Sequence, residues 1–239
     1  VNRVVAPVVF LAAQLLLAGC ADMRWYEPIA GTEGKAAGAT TAEQAAGGGQ
    51  TAAAAPAAEA PDRDIPENPY LRKRARANGE ALRRFEIANA AMEQRDWSLA
   101  MSELAWLLDH HPKLSGPCLN MALAYQQQGE LEQAEEYFRK TLQINRNNLD
   151  AYNQYAIFLR EQGRFQEAEQ TYLQALQIWD FHADTHRNIG VLYDMYMGDR
   201  ERALLHFHRY QELTGASDRT VAGWIADLER RQVLLVKGA

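Results

Sequence analysis

The sequence predicts an all-α solenoid of about four helix–turn–helix units stacked in a row, closed by a C-terminal helix and preceded by a disordered N-terminal tether. Three observations predict it. The chain repeats itself with a 34-residue period over residues 81–114, 115–148, 149–182 and 183–217. Within a unit, apolar residues recur at spacings of three and four, as amphipathic helices require: Cys118, Met121, Ala122 and Tyr125, then Leu131, Ala134, Phe138 and Leu142. Gly129 and Gly163 fall between the two runs, where a left-handed helix end favours glycine.

Residues 1–19 come first and read as an export signal. Arg3 precedes an apolar stretch over residues 4–17, interrupted by Pro7 and Gln14, too short and too broken for a transmembrane helix of about 20 apolar residues. The stretch ends in Leu17-Ala18-Gly19-Cys20, which resembles the lipobox of bacterial lipoproteins. The resemblance implies cleavage before Cys20 and acylation of its sulfur and new amino group, since two or more acyl chains hold a protein stably where one is marginal. Ala21, rather than Asp, behind that cysteine implies sorting to the outer membrane, with the folded part facing the periplasm. Once Cys20 is lipidated, Cys118 is the one remaining thiol of the two cysteines, a safe arrangement in an oxidising compartment.

Residues 20–65 read as the lipidated cysteine and a flexible linker. Pieces such as Gly47-Gly48-Gly49 and Ala52-Ala53-Ala54-Ala55-Pro56 have too little apolar surface to offset the entropy of ordering. About 45 such residues have an r.m.s. span of roughly 35–40 Å and an extended limit near 150 Å. Residues 66–80 read as a basic lead-in helix. Its Arg72-Lys73-Arg74-Ala75-Arg76 run suits a solvated helix face first, and contact with anionic lipid or murein second.

The repeat units then align position by position. Position 8 holds Ala88, Ala122, Ala156 and Gly190, and position 11 holds Ala91, Tyr125, Leu159 and Tyr193. Position 20 holds Ala100, Ala134 and Ala168; position 24 holds Leu104, Phe138 and Tyr172. The fourth unit needs one extra residue near Met197-Gly198, after which Ala203 and Phe207 fall into register. Small residues at 8 and 20 let paired helices approach, and the large ones fill between them. One helix pair cannot bury its apolar face alone, so neighbours must stack. Residues 218–239 supply a capping helix and tail, with Asp218 at its start and Val221, Trp224, Ile225 and Leu228 on one face.

This pattern resembles the tetratricopeptide repeat, which implies a superhelical solenoid whose first helices line a concave, peptide-binding groove. Carried onto this sequence, the groove residues are Asn120, Leu123, Asn153, Gln154, Ile157, Arg160, Arg187, Asn188 and Val191. The amides offer donors and acceptors to a peptide backbone, Leu123, Ile157 and Val191 an apolar floor, and the arginines positive charge. Glu169 reads as a position on the opposite, convex side.

Nothing in the sequence argues for catalysis. It has no nucleophile elbow, zincin motif, nucleotide loop or paired-cysteine metal motif, so no catalytic residue, metal or cofactor is expected. His182 and His186 are four apart and read as structural histidines rather than metal ligands. With 25 Lys+Arg against 31 Asp+Glu the net charge is −6, which disfavours nucleic acid as a partner. Removal of Arg3 would make it 24 − 31 = −7. The expected partners are periplasmic or envelope proteins in the groove and the membrane at the lipid anchor; self-association is left open.

The leader–linker–repeat plan is similar to that of the TPR lipoproteins of pilus assembly, notably the tight-adherence type, and of secretin-dependent systems. It implies a non-catalytic adaptor in an envelope machine. Recruitment of murein hydrolases or envelope proteases, or service to a proton-driven transporter, are the alternatives.

Overall fold

The computed structural model describes residues 65–73 and 75–237, with side chains through 232; Arg74 lies outside, and of Lys73 only the backbone is described. The leader, Cys20, most of the linker and Arg74 of the basic run therefore fall outside the described residues. Those described are helical, with no strand among them. After α1 (Pro69–Lys73) come four antiparallel pairs: α2 (Gly79–Glu93) with α3 (Trp97–His110), α4 (Ser115–Gln128) with α5 (Leu131–Ile144), α6 (Leu149–Glu161) with α7 (Phe165–Ile178), and α8 (Ala183–Val191) with α9 (Arg200–Thr214). Helix α10 (Arg219–Lys237) closes the stack.

The helix starts are written in side chains. Asn78, Asp96, Asn148 and Asp199 each accept a hydrogen bond from the backbone N–H three residues on, at 2.8–3.1 Å, satisfying an otherwise orphaned donor. Gly129 ends α4 at φ +81°, a backbone that costs other residues about 1–2 kcal/mol. The first unit lacks that glycine, and Arg95 adopts φ +58° in its place.

The lead-in differs from the continuous helix expected over 66–80. It is helical only through α1, has no regular secondary structure over residues 75–78, and re-enters a helix at Gly79. Asn68 and Asn78 explain this, because each turns its side-chain oxygen onto a backbone N–H just downstream and starts a new helix. Pro69 fits the first helical position of α1. The segment before α1 crosses to the third unit, where the Pro66 carbonyl accepts a 2.9 Å bond from Trp179 Nε1.

One core runs from Ala81 in α2 to Leu228 in α10. The small residues Ala88, Ala100, Ala122, Ala134, Ala156, Ala168 and Ala203 are fully buried, and Leu104, Phe138, Tyr172 and Phe207 sit between them. The capping helix seals the last pair with Val221, Ile225 and Leu228, while Trp224 rests 5.4 Å from Phe207.

The extra residue of the fourth unit is absorbed without a loop. Helix α8 continues as a π-helix over Leu192–Met197, whose i→i+5 bonding holds one residue more in each hydrogen-bonded turn than an α-helix. Gly198, at φ +68°, then ends it.

Candidate functional site: the concave face

In a stack of this kind the first helix of each pair faces inward, here α2, α4, α6 and α8. Their inner surface is not uniform. In α4 the two expected groove residues are spent on the interior: Leu123 is 2% exposed and Asn120 fully buried. Asn120 Nδ2 donates to Asn89 Oδ1 of α2 at 2.7 Å, and its own Oδ1 has no partner. Asn153, also buried, accepts a 3.1 Å bond from Asn188 Nδ2 across α6 and α8. These amides thus form rungs between successive first helices. Asn120 and Leu123 do not line an open surface, because both side chains are buried and the Asn120 amide is bonded to Asn89.

The third and fourth units are more open. Gln154, Ile157, Arg160, Arg187, Asn188 and Val191 are all half-buried. Arg187 is engaged with the Tyr210 hydroxyl and lies near the Asp218 carboxylate. Arg160 is different. It forms no ion pair among the described residues, its guanidinium stands 5.6 Å over the Tyr196 ring, and its buried Nε–H has no acceptor. Met195 is 70% exposed and Tyr196 44% exposed, both on the π-helix. Sequence reasoning missed these two. The signal was the one-residue insertion, which marks where the helix widens.

A recurring clasp joins successive units. Glu135 of α5 accepts from Arg139 at 2.6 Å, Tyr155 at 2.8 Å and Arg164 at 2.8 Å. Burial pushes its carboxyl up, but the bonds from Arg164 and Tyr155 and the Arg139 charge outweigh burial and hold it below the usual carboxylate range. One unit on, Glu169 of α7 accepts from Tyr193 at 2.8 Å and from Arg202. Burial and that bond to Glu169 push the Tyr193 hydroxyl up to about 12. Glu169 is therefore an inter-unit contact and not a free convex residue. The equivalent place in the first unit is Met101, which receives only Gln128 Nε2.

The histidines pair with separate partners. His182 binds Thr185 Oγ1 at 2.7 Å and Asp150 at 3.2 Å, whereas His186 Nδ1 lies 2.9 Å from His206 Nδ1. Burial pushes both members of that pair down, His206 to about 4. Among the described residues no group of three or more His, Cys, Asp or Glu is placed to hold a metal ion. None of their helices is long and apolar enough to cross a membrane.

The family model described as tetratricopeptide repeat matches residues 147–214, and a second with the same description matches residues 118–148. Residues 118–214 are tetratricopeptide (TPR) repeats. No curated protein matches it by sequence. Among solved structures, PilF of Pseudomonas aeruginosa is similar at 24% identity and a TM-score of 0.58, over 65% of this chain and 70% of that one. MamA is similar at 18% and 0.52, over 66% and 86%. A thermophilic TPR protein of Thermus thermophilus is similar at 19% and 0.54, over 63% and 81%. At these identities the likeness speaks for the TPR fold. TPR stacks are generally non-catalytic protein-interaction modules.

Proposed function

We propose that this TPR protein is a non-catalytic adaptor that binds an extended segment of an envelope protein on the inner face of its third and fourth units. The observation that carries the reading is the contrast along that face. Asn120 and Leu123 are closed into the core, while Ile157, Arg160, Val191, Met195 and Tyr196 leave an apolar and cationic strip accessible. An unpaired arginine beside exposed apolar side chains suits an acidic, apolar segment.

The address belongs to the same proposal. The Leu17-Ala18-Gly19-Cys20 run supports a lipid anchor at Cys20, and Ala21 supports the outer membrane, so the stack works in the periplasm on its tether. Within that setting the leader–linker–TPR plan favours a pilus or secretion machine. Labelling cells with an alkynyl fatty acid tests the anchor: wild-type protein takes the label and floats with outer membrane, and Cys20→Ser does neither. Label persisting in Cys20→Ser would sink the anchor. Deletion of the protein tests the pathway. Loss of pilus or secretin complexes supports the machine; altered cell shape with those complexes intact would transfer the role to murein hydrolase control.

A further inference from the structure

The end of the inner face nearest α10 has an unmet chemistry. Tyr196 rests 5.1 Å from Phe165 and beneath Arg160, with Met195 turned outward beside it. Two buried donors at this junction lack an acceptor among the described residues: the Arg160 Nε–H and the hydroxyl of the wholly buried Tyr172. Arg160 and Tyr196 are among the charged and polar groups that act electrostatically on that hydroxyl. The Tyr172 hydroxyl is sealed from solvent, but the half-buried Arg160 guanidinium, with no ion pair among the described residues and an exposed apolar lip beside it, is the complement of a carboxylate carried next to aromatic or aliphatic side chains.

The chain supplies such a segment. The Pro66–Trp179 bond brings the stretch before the repeats to the loop that opens α8. From Ala183 to Met195 is 12 residues of helix, about 18 Å. Behind the apolar leader, one run before residue 65 combines aromatic, aliphatic and acidic groups: Met23-Arg24-Trp25-Tyr26-Glu27-Pro28-Ile29. Residues 30–64 separate it from Ile65, a contour of about 115–125 Å, several times what is needed.

We propose that residues 23–29 dock on the inner face of the same molecule, with the Glu27 carboxylate on Arg160 and the Trp25 and Tyr26 rings over Met195 and Tyr196. This rests on the binding face proposed above and supplies its regulation. A partner must displace the segment. With Cys20 acylated, the docked state holds the repeats close to the membrane and the partner releases them.

The test uses the full chain with benzoylphenylalanine in place of Met195, irradiated and digested with trypsin. The expected product joins fragment 188–200 to fragment 25–35. Trp25→Ala and Glu27→Gln lie outside the repeats and leave their folding alone. Each lowers the yield at least about threefold, because loss of a contact made only in the docked state lowers its population. Mixing isotope-labelled with unlabelled chain separates the sources: a heavy–light product means a second copy and overturns docking within one molecule. Absence of the 25–35 product, or a yield that neither substitution lowers, overturns it as well. Failure of the binding face itself reads differently. A probe at Val191 then captures no partner in cells, whether or not residues 25–35 crosslink.

Discussion

Gly190 occupies the position where the other three units carry Ala88, Ala122 and Ala156. A Cβ there would stand 2.6 and 2.7 Å from two ring carbons of Phe207 and 3.1 Å from a third. Carbon atoms in contact prefer about 3.5–4.0 Å, so the ring would have to retreat by about 1 Å. It has little room, being 1% exposed with Trp224 5.4 Å away. Overpacking of this kind costs about 1–3 kcal/mol, and the better helix propensity of alanine offsets about 1 kcal/mol. With a rigid ring at so short a distance the net loss for Gly190→Ala should be about 1–2 kcal/mol, or roughly 3–6 °C in Tm for a domain of this size. Circular dichroism melting at 222 nm reads it. Gly116→Ala is the control, because its Cβ would meet Phe85 at no less than 3.4 Å and its Tm should hold or rise. Combining Gly190→Ala with Phe207→Leu recreates the Ala88–Leu104 pairing of the first unit and should recover part of the loss beyond what Phe207→Leu alone predicts. An unchanged or raised Tm for Gly190→Ala alone would refute the packing argument.

Three further outcomes are expected. Glu135→Ala removes three bonds to a carboxylate with 19% side-chain exposure and should cost about 2 kcal/mol in urea unfolding, while exposed Glu132→Ala should stay within about 0.5 kcal/mol; equal effects would remove the clasp from the account. The lowered pKa of His206, about 4 against about 6.5 in an unfolded chain, means the unfolded state binds more protons between those values. Stability should therefore fall as pH drops from about 7 to about 4, by on the order of 3 kcal/mol, and His206→Gln should flatten that slope. A slope unchanged in the variant would assign the effect to other groups. Asn188→Ala should lower stability by about 1 kcal/mol by breaking the rung to Asn153, visible by melting without any ligand; no change in melting would return Asn188 to the role of a free ligand contact.

Much of the fold was legible because TPR stacking is nearly one-dimensional. Ala at positions 8 and 20 and a large residue at 24 read directly as close helix approach, and those residues are the buried ones. Local chemistry that depends on two helices was less legible. The spacing of Asn120 and Asn188 cannot tell an amide aimed at a ligand from one bonded to the preceding unit, and both are bonded there. Arg187 and Glu169 follow the same logic, each engaged by a residue of a neighbouring helix. The insertion near Met197 was visible as a register slip, but a slip does not say whether a loop or a π-helix absorbs it. That choice placed Met195 and Tyr196 on the surface. The lead-in departs from the helix expected over 66–80 because Asn68 and Asn78 each begin a helix and so interrupt it.

The most direct measurement is photocrosslinking in living cells with the probe at Val191, followed by mass spectrometry. The account predicts a discrete periplasmic partner captured from Val191 and lost when the probe is moved to exposed Gln170 on α7. Capture from Gln170 but not from Val191, in protein that is folded and at the membrane, would contradict it and move binding to the outer surface.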